Sequence, residues 1–412
     1  MKIKILPFLL LAFLSCFQVY SQNTVMIGDS VQLSIDGYKG GQIQWQVSTD
    51  SINWKDSVEA KSNSLSVQIQ KNTYYRAKVT LDKCSYISSI NSIKSFDFKD
   101  INETGDSIFS KTSQYIILIP DIQNYISDTN KKYLEKIMDW ILQLYAVGFK
   151  TKAILQVGDV TNCNSVAEWE IAQNIFSKLN GKVDYLLCTG NHDYDGCGNP
   201  TDRNTTQISK YFNAKNYPKT IETLLPGNFE NVCYKTSLYD QTLLIFSLEF
   251  GPRNKVVAWA DSIAKANPTA LGFVMTHAYL YRNQIRYNYA LLKNQQDVNP
   301  HEYGLASIEN VNDGEELWQK LISTNFNFRF VACGHMMLDY VGNLISQNSI
   351  GQNVLQMLFD TQSFPNGGNG WIQIMEFLKN SETVKIKTYS PVLKIWGTKS
   401  VEQYDFQYKS LK

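Results

Sequence analysis

Tyr115-Ile116-Ile117-Leu118-Ile119-Pro120-Asp121-Ile122-Gln123 is the stretch on which the fold turns. Its apolar run reads as a buried strand, and Pro120 stops it. Asp121 and Gln123 then stand just past the carboxyl end, where open α/β sheets collect their sites. Downstream, Tyr133, Leu134, Ile137, Ile141, Leu144 and Tyr145 recur at helical spacing, and Gly148 is a stop. Residues 153–157 read as the next strand and end on Gly158-Asp159. Ser165 with Glu168 makes a capping box for the helix that follows. A third strand, 183–188, runs into Gly190-Asn191-His192-Asp193. Strands over 243–248, 273–276 and 328–333 continue the series, with helices over 256–264 and 315–323. Thr276-His277 and Gly334-His335 follow two of those strands. A more purely β ending is expected through 354–359, 371–377 and 384–388. Residues 113–412 are thus expected to form one layered α/β domain.

Upstream the pattern differs. Residues 97–112 are polar and read as a linker. Val31-Gln32-Leu33-Ser34-Ile35, Ile43-Gln44-Trp45-Gln46-Val47 and Leu65-Ser66-Val67-Gln68-Ile69 alternate apolar and polar, with turn residues between them. Short alternating strands over 22–96 predict a small β-sandwich. Gln44-Trp45-Gln46, Ser51-Ile52-Asn53-Trp54 and Tyr74-Tyr75-Arg76-Ala77 resemble immunoglobulin-like modules of secreted bacterial proteins. The resemblance implies that Trp45 is a core tryptophan and allows a surface or glycan contact through this module. Trp54 and Tyr74 fit ligand binding or, with more weight on residue preference, core and turn packing.

A length of 412 residues favours more than one core, and 43% hydrophobic with 19% charged residues is a globular composition. The formal charge of +1 carries no nucleic-acid or polybasic membrane signature, so an anionic ligand must be held locally. Lys2 and Lys4 precede an apolar run from Ile5 to Phe17, and Val19-Tyr20-Ser21 offers a cleavage site. That order predicts a signal peptide over 1–21 and export. The run is too short for a comfortable membrane span, and no later stretch is longer. Lipidation at Cys16 is the less favoured alternative, because Phe13-Leu14-Ser15 is a poor lipoprotein box. Cys84, Cys163, Cys188, Cys197, Cys233 and Cys333 remain beyond the leader; they permit disulfides or serve as buried thiols.

The chain has four histidines, and His192, His277 and His335 each follow a predicted strand. One histidine so placed is more often structural than a ligand; three, joined by Asp and Asn in the same positions, point to a site. Carboxylate, amide and imidazole donors together suit Mn, Fe or Zn rather than a thiolate zinc site. His301 lies in the polar loop Asn299-Pro300-His301-Glu302 and is expected to be solvated.

The order Asp121-Ile122-Gln123, Gly158-Asp159, Gly190-Asn191-His192-Asp193, His277 and Gly334-His335 resembles the calcineurin-like metallophosphoesterase superfamily, in a bacterial branch with Gln in its first motif. Pro120 to Tyr125, Leu248-Glu249-Phe250, Trp259-Ala260, Thr276 to Leu280 and Thr388 to Pro391 share the resemblance, which runs from about 114 to 391. It implies a βαβ sandwich and hydrolysis of a phosphate ester by metal-activated water. Asp121 and Gln123 would bind the first of one or two ions, Asp159 would bridge, and Asn191, His277 and His335 would hold the second. His192 would sit beside the substrate with Asp193 orienting its ring, and Asn191 and Asn124 would contact substrate.

The sequence departs from the pattern twice. Gln123 replaces an imidazole by an amide, and Met337 replaces the second histidine of GHxH. Asp339 is a candidate replacement donor, against a loop carboxylate in solvent. Asn124, Tyr125 and Asn162 are softer substrate-contact candidates. Arg253, Arg282 and Arg286 are candidate phosphate grips, more often surface groups. Gly367-Gly368-Asn369-Gly370 reads as a hairpin turn rather than a phosphate cradle, since no helix start follows. The motifs do not separate a monoester from a diester. The alternative of another class is a weakly catalytic or non-catalytic binding protein on this scaffold, attached through the N-terminal module.

Overall fold

The computed structural model describes residues 24–26, 30–35, 38–58, 60–81, 84–96, 109–110, 112–214, 217, 220–337 and 341–411. The expected leader with Cys16, most of the expected linker, and Asp339 lie outside them. The chain divides into two compact units, Met1–Asp97 and Phe98–Lys412.

Among its described residues the N-terminal unit is all β. Ser30–Ser34 pairs antiparallel with Ser64–Gln68, and a six-stranded sheet is built around Gln42–Ser48 and Thr73–Leu81. The alternation along Gln42–Ser48 sends Trp45 into the core at 0% exposure. Its indole N–H donates to Ser62 O at 2.9 Å, so burial leaves no orphan donor. Trp54 is half-buried, with the Arg76 guanidinium 4.1 Å from its ring, which agrees with packing rather than ligand binding.

The C-terminal unit is a mixed α/β fold with two sheets. In chain order its main elements are Gln114–Ile119 (β1), Lys131–Ala146 (α1), Lys150–Gln156 (β2), Val166–Phe176 (α2) and Tyr185–Leu187 (β3). Val232–Leu238 (β4), Gln241–Ser247 (β5), Asn254–Ala266 (α3), Leu271–Met275 (β6) and Phe328–Cys333 (β7) follow. Val341–Gln347 (β8), Asn353–Phe359 (β9), Ile372–Phe377 (β10) and Thr383–Ser390 (β11) complete it. One sheet runs β3-β2-β1-β10-β11, with the first three strands parallel. In the other, β5, β6, β7 and β9 are parallel neighbours, flanked by antiparallel β4 and β8. Every residue of β1, β6 and β7 is buried, as strands covered on both faces must be. The sheets face each other: Phe330 of β7 meets Phe377 of β10 edge-on at 5.6 Å, and Ser247 Oγ donates to Leu187 O at 3.0 Å.

Local signals explain the helices. The α2 N-terminus carries the Ser165–Glu168 capping box, satisfying otherwise orphaned amides. Leu134, Ile137, Met138, Ile141 and Leu144 form the buried stripe of α1. One expectation needs correction. Residues 315–323 are not one α-helix: Gly314–Leu317 makes an α turn that continues as a π turn over Trp318–Ile322. The expected β ending is present, and its first strand has a place that the sequence did not give. Residues 354–359 form β9, parallel to β7, and carry the sheet's site edge one strand further.

Candidate metal centre

Both sheets bring the carboxyl ends of parallel strands to one edge. Asp121 and Gln123 follow β1, Asp159 follows β2, and Asn191 and His192 follow β3. His277 follows β6, His335 follows β7 and Asp360 follows β9. Asp159 (φ 53°) and His335 (φ 76°) have left-handed backbones, a conformation costing about 1–3 kcal/mol for such residues and common at functional turns. The neighbouring glycines make space. A Cβ on Gly334 would stand 1.9 Å from Asp121 Oδ1, and one on Gly190 would stand 2.0 Å from Asp159 Oδ1. Side chains there would evict the carboxylates.

The resulting cluster is tight. His277 Nε2 lies 3.3 Å from Asp159 Oδ2 and 3.9 Å from Asp121 Oδ2. Its other nitrogen, Nδ1, donates to Val157 O at 2.9 Å. The His335 backbone N–H donates to Asp121 Oδ2 at 3.0 Å. His335 Nε2 donates to Val298 O at 2.8 Å, which in the neutral ring leaves the lone pair on Nδ1. Gln123 Nε2 donates to Asp159 Oδ2 at 3.0 Å, and Asn191 Nδ2 donates to Gly198 O at 2.8 Å.

The electrostatics follow from that crowding. Burial opposes charge on His277, but the Asp159 and Asp121 carboxylates outweigh it and push its pKa up to about 10. Burial and the nearby Asp360 carboxylate hold Asp121 well above the ordinary range. Asp159 goes the other way: burial opposes its charge, but His277 and His192 outweigh burial. Burial and the His277 charge lower His335 to about 3.

Three buried atoms of the cluster lack a hydrogen-bond partner: Gln123 Oε1, Asn191 Oδ1 and His277 Nε2. Native folds leave few such atoms; the two amide oxygens can offer a lone pair to a cation, and His277 Nε2, which faces Asp159 Oδ2 at 3.3 Å, can do so once a cation takes the place of its proton. Ligand atoms of Asp121, Asp159 and His277 all lie within 4.8 Å of one another. Hard carboxylate and amide oxygens with imidazole nitrogen suit first-row divalent cations. The residues present therefore fit a metal centre.

A family model described as calcineurin-like phosphoesterase matches residues 114–339, more than half of the chain. The chain belongs to the calcineurin-like phosphoesterases. A domain of unknown function matches residues 18–95. Among curated proteins, the uncharacterized protein YvnB of Bacillus subtilis (strain 168) is 20% identical over 302 residues, 70% of this chain. The chain spans about a fifth of that relative's length (21%). Among solved structures, the sulfate thiohydrolase SoxB of Termus thermophilus is 8% identical at a TM-score of 0.33, covering 72% of this chain and 57% of its own. A protein serine/threonine phosphatase from Saccharomyces cerevisiae is 10% identical at 0.25, covering 73% of this chain and 81% of its own. Likenesses this low add nothing to the assignment.

Within the calcineurin-like domain, the structure brings together Asp121, Gln123, Asp159, Asn191, His277 and His335. His192 stands beside them, its backbone N–H donating to Asp159 Oδ1 at 2.9 Å. Several expected roles change. Asp193 does not orient the His192 ring. Its carboxylate accepts from Gly190 N (2.8 Å), Val160 N (3.0 Å), Thr161 N (2.8 Å) and Thr161 Oγ1 (2.9 Å), tying the two turns together. The His192 ring is fixed instead by Nδ1–H donating to Asn162 O at 2.7 Å. Tyr125 is fully buried and accepts from Gly370 N at 2.7 Å, so it lines the interior rather than the cleft. Asn124 is exposed, and its amide donates to Gln362 O at 3.0 Å. The three candidate phosphate grips are committed elsewhere: Arg253 to Glu249 and Glu309, Arg282 to Asp297, and Arg286 to Glu315. His301 is not solvated; it pairs with Glu316 at 2.6 Å and stacks on Tyr289.

Asp360 and Gln362 are the site residues that sequence reasoning passed over. Gln362 Nε2 donates to Asp360 Oδ2 at 3.0 Å and to Asp121 Oδ2 at 3.2 Å. The signal was present: Asp360 follows an apolar strand as Asp121 follows β1. A Cys163–Cys197 disulfide, also unassigned by sequence, joins the turn after β2 to the turn after β3.

Proposed function

We propose that this phosphoesterase domain is metal-dependent. Asp121, Gln123, Asp159, Asn191, His277 and His335 would hold one or two Mn, Fe or Zn ions. The observation that carries this is the pair of buried, unpartnered amide oxygens on Gln123 and Asn191, together with the clustered ligand atoms of Asp121, Asp159 and His277. The cleft beside them supports it. It has a volume of about 440 Å³, and the described residues lining it include Asp159 and Glu302 but no Lys or Arg. A phosphate ester entering there meets carboxylates, and cations would reverse that sign. When bound, such cations neutralise phosphoryl oxygens and lower the pKa of a water.

The chain's own residues do the rest. His192 borders the cleft with Nδ1–H fixed on Asn162 O, so its Nε2 faces the substrate; in the imidazolium form Nε2–H donates to a phosphoryl oxygen or protonates the leaving alkoxide. Asn191 can turn its amide oxygen to the cation while Nδ2 holds Gly198 O. Asp193 keeps the two turns in register beneath them.

We further propose export, with residues 1–21 as leader. The Cys163–Cys197 disulfide supports an oxidising compartment, and among the described residues no helix is long and apolar enough to cross a membrane. Residues 22–96 are read as an immunoglobulin-like module and 97–112 as a linker before the catalytic domain. The buried Trp45 on a central strand supports the module's assignment.

His192→Ala and Asp159→Asn test the enzymatic reading together. The first is expected to keep its metal and lose turnover by about 10²–10⁴-fold. The second is expected to lose metal as well. Turnover unchanged in His192→Ala would remove His192 from the chemistry, and a wild type that binds metal without hydrolysing any phosphoester would favour the binding protein.

A further inference from the structure

We propose that Asp360 is itself a cation ligand, supplying from the end of β9 the donor that the Gly334-His335 motif of this chain lacks. This rests on the metal-dependent reading above and adds a residue that the motif order does not contain.

The two residues after His335 offer no hard donor. Met336 is buried at 1% exposure, with Tyr287 Oη donating to its sulfur at 3.1 Å. Met337 is 53% exposed at the rim, and a thioether is a poor partner for Mg- or Mn-like ions. The fold compensates one strand over. β9 lies parallel to β7 with Cys333 opposite Leu358, so Asp360 stands level with His335. Its side chain is 0% exposed and is fixed by Gln362 N donating to Oδ1 at 2.9 Å. One amide nitrogen, Gln362 Nε2, contacts both Asp360 Oδ2 (3.0 Å) and Asp121 Oδ2 (3.2 Å). One amide nitrogen thus brings an Asp360 oxygen next to the first ligand of the expected site. Gln123, whose Nε2 also reaches Gln362, keeps a buried oxygen with no partner beside them.

The charge count points the same way. Asp121, Asp159 and Asp360 are 0%, 2% and 0% exposed, and the buried imidazole between them, His277, carries at most one positive charge. Three carboxyl groups crowded out of water can all be charged together only with compensation that a neutral glutamine amide does not give. Divalent cations supply it, with Asp360 in the place of the missing imidazole.

Mn(II) is the probe. Binding to the metal-free full chain is followed by EPR titration, for the wild type, Asp360→Asn and Asp159→Asn. Asp360→Asn is expected to weaken at least one Mn(II) site by more than about 10–100-fold, the loss already caused by removing an outer partner of a metal ligand. Asp159→Asn should weaken every site. Wild-type binding with unchanged affinities in Asp360→Asn overturns the role of Asp360 and leaves the metal-dependent reading standing. A wild type that binds no Mn(II) overturns both. Should Asp360→Asn not fold, Asp360→Cys loaded with Co(II) gives a second readout. A thiolate-to-cobalt charge-transfer band absent from the wild type shows contact with the ion; its absence at saturating Co(II) overturns the proposal.

Discussion

Gly198 sets the position of His192. A Cβ there would fall 2.6 Å from His192 Nε2, and the backbone φ of +99° disfavours any side chain. Gly198→Ala is expected to displace the ring and lower kcat by about 10²-fold, as small misplacements do. Mn(II) binding should remain, because Gly198 touches the proposed ligand Asn191 only through its carbonyl; steady-state kinetics beside metal titration checks both. Asp193 works differently. Asp193→Ala would leave the buried amides of Val160, Thr161 and Gly190 without their acceptor, so it should destabilise the fold by about 3 kcal/mol or more. Urea unfolding measures that; a fully stable Asp193→Ala would contradict it. These two residues show where sequence reading stops. Ligand types and their strand-end positions are legible because strand and motif grammar are local. Which carbonyl fixes His192, or whether Asp193 faces a ring or three amides, depends on turns that meet only in space.

Parallel strands explain which site residues were legible and why Asp360 was not. Residues ending β1, β2, β3, β6 and β7 can be read because each apolar run closes on a polar motif. Asp360 obeys the same rule at the end of β9, yet it looks like part of a β tail until β9 is seen to lie beside β7. Strand order is a long-range property, and single-strand patterns do not encode it. The disulfide is another long-range feature. Cys163 and Cys197 are 34 residues apart and clasp the turns carrying Asn162 and Gly198, the two groups that frame His192. Cys163→Ser is expected to lower stability by about 2–4 kcal/mol and to reduce turnover, with metal content preserved. Identical turnover in oxidised and reduced wild-type protein would detach the disulfide from the site.

At the scale of the molecule, composition fixes the class more firmly than the chemistry. A formal charge of +1 gives no general attraction for anions, and the cleft itself is lined by carboxylates, so affinity for phosphate has to be created locally. Behind the cleft, Glu249 lies between Arg203 (3.6 Å) and Arg253 (2.7 Å). Burial opposes its charge, but the two guanidinium groups outweigh burial and hold its carboxyl below the ordinary range. A carboxyl lowered on folding adds stability above its unfolded pKa, and that contribution disappears as pH falls through the folded value. Glu249→Gln should therefore flatten the acid side of the wild type's stability–pH curve, read by thermal melting across pH. The substrate's alcohol or second ester is set by cleft loops rather than by the ligand motifs, so monoester and diester must be separated by assay. The central claim meets its most direct test in chelator-treated protein, assayed with p-nitrophenyl phosphate and bis(p-nitrophenyl) phosphate before and after Mn(II) is restored. Loss of hydrolysis on stripping and recovery with Mn(II), on either ester, is the predicted result. Hydrolysis that survives complete stripping, or that appears under no metal loading, would contradict it.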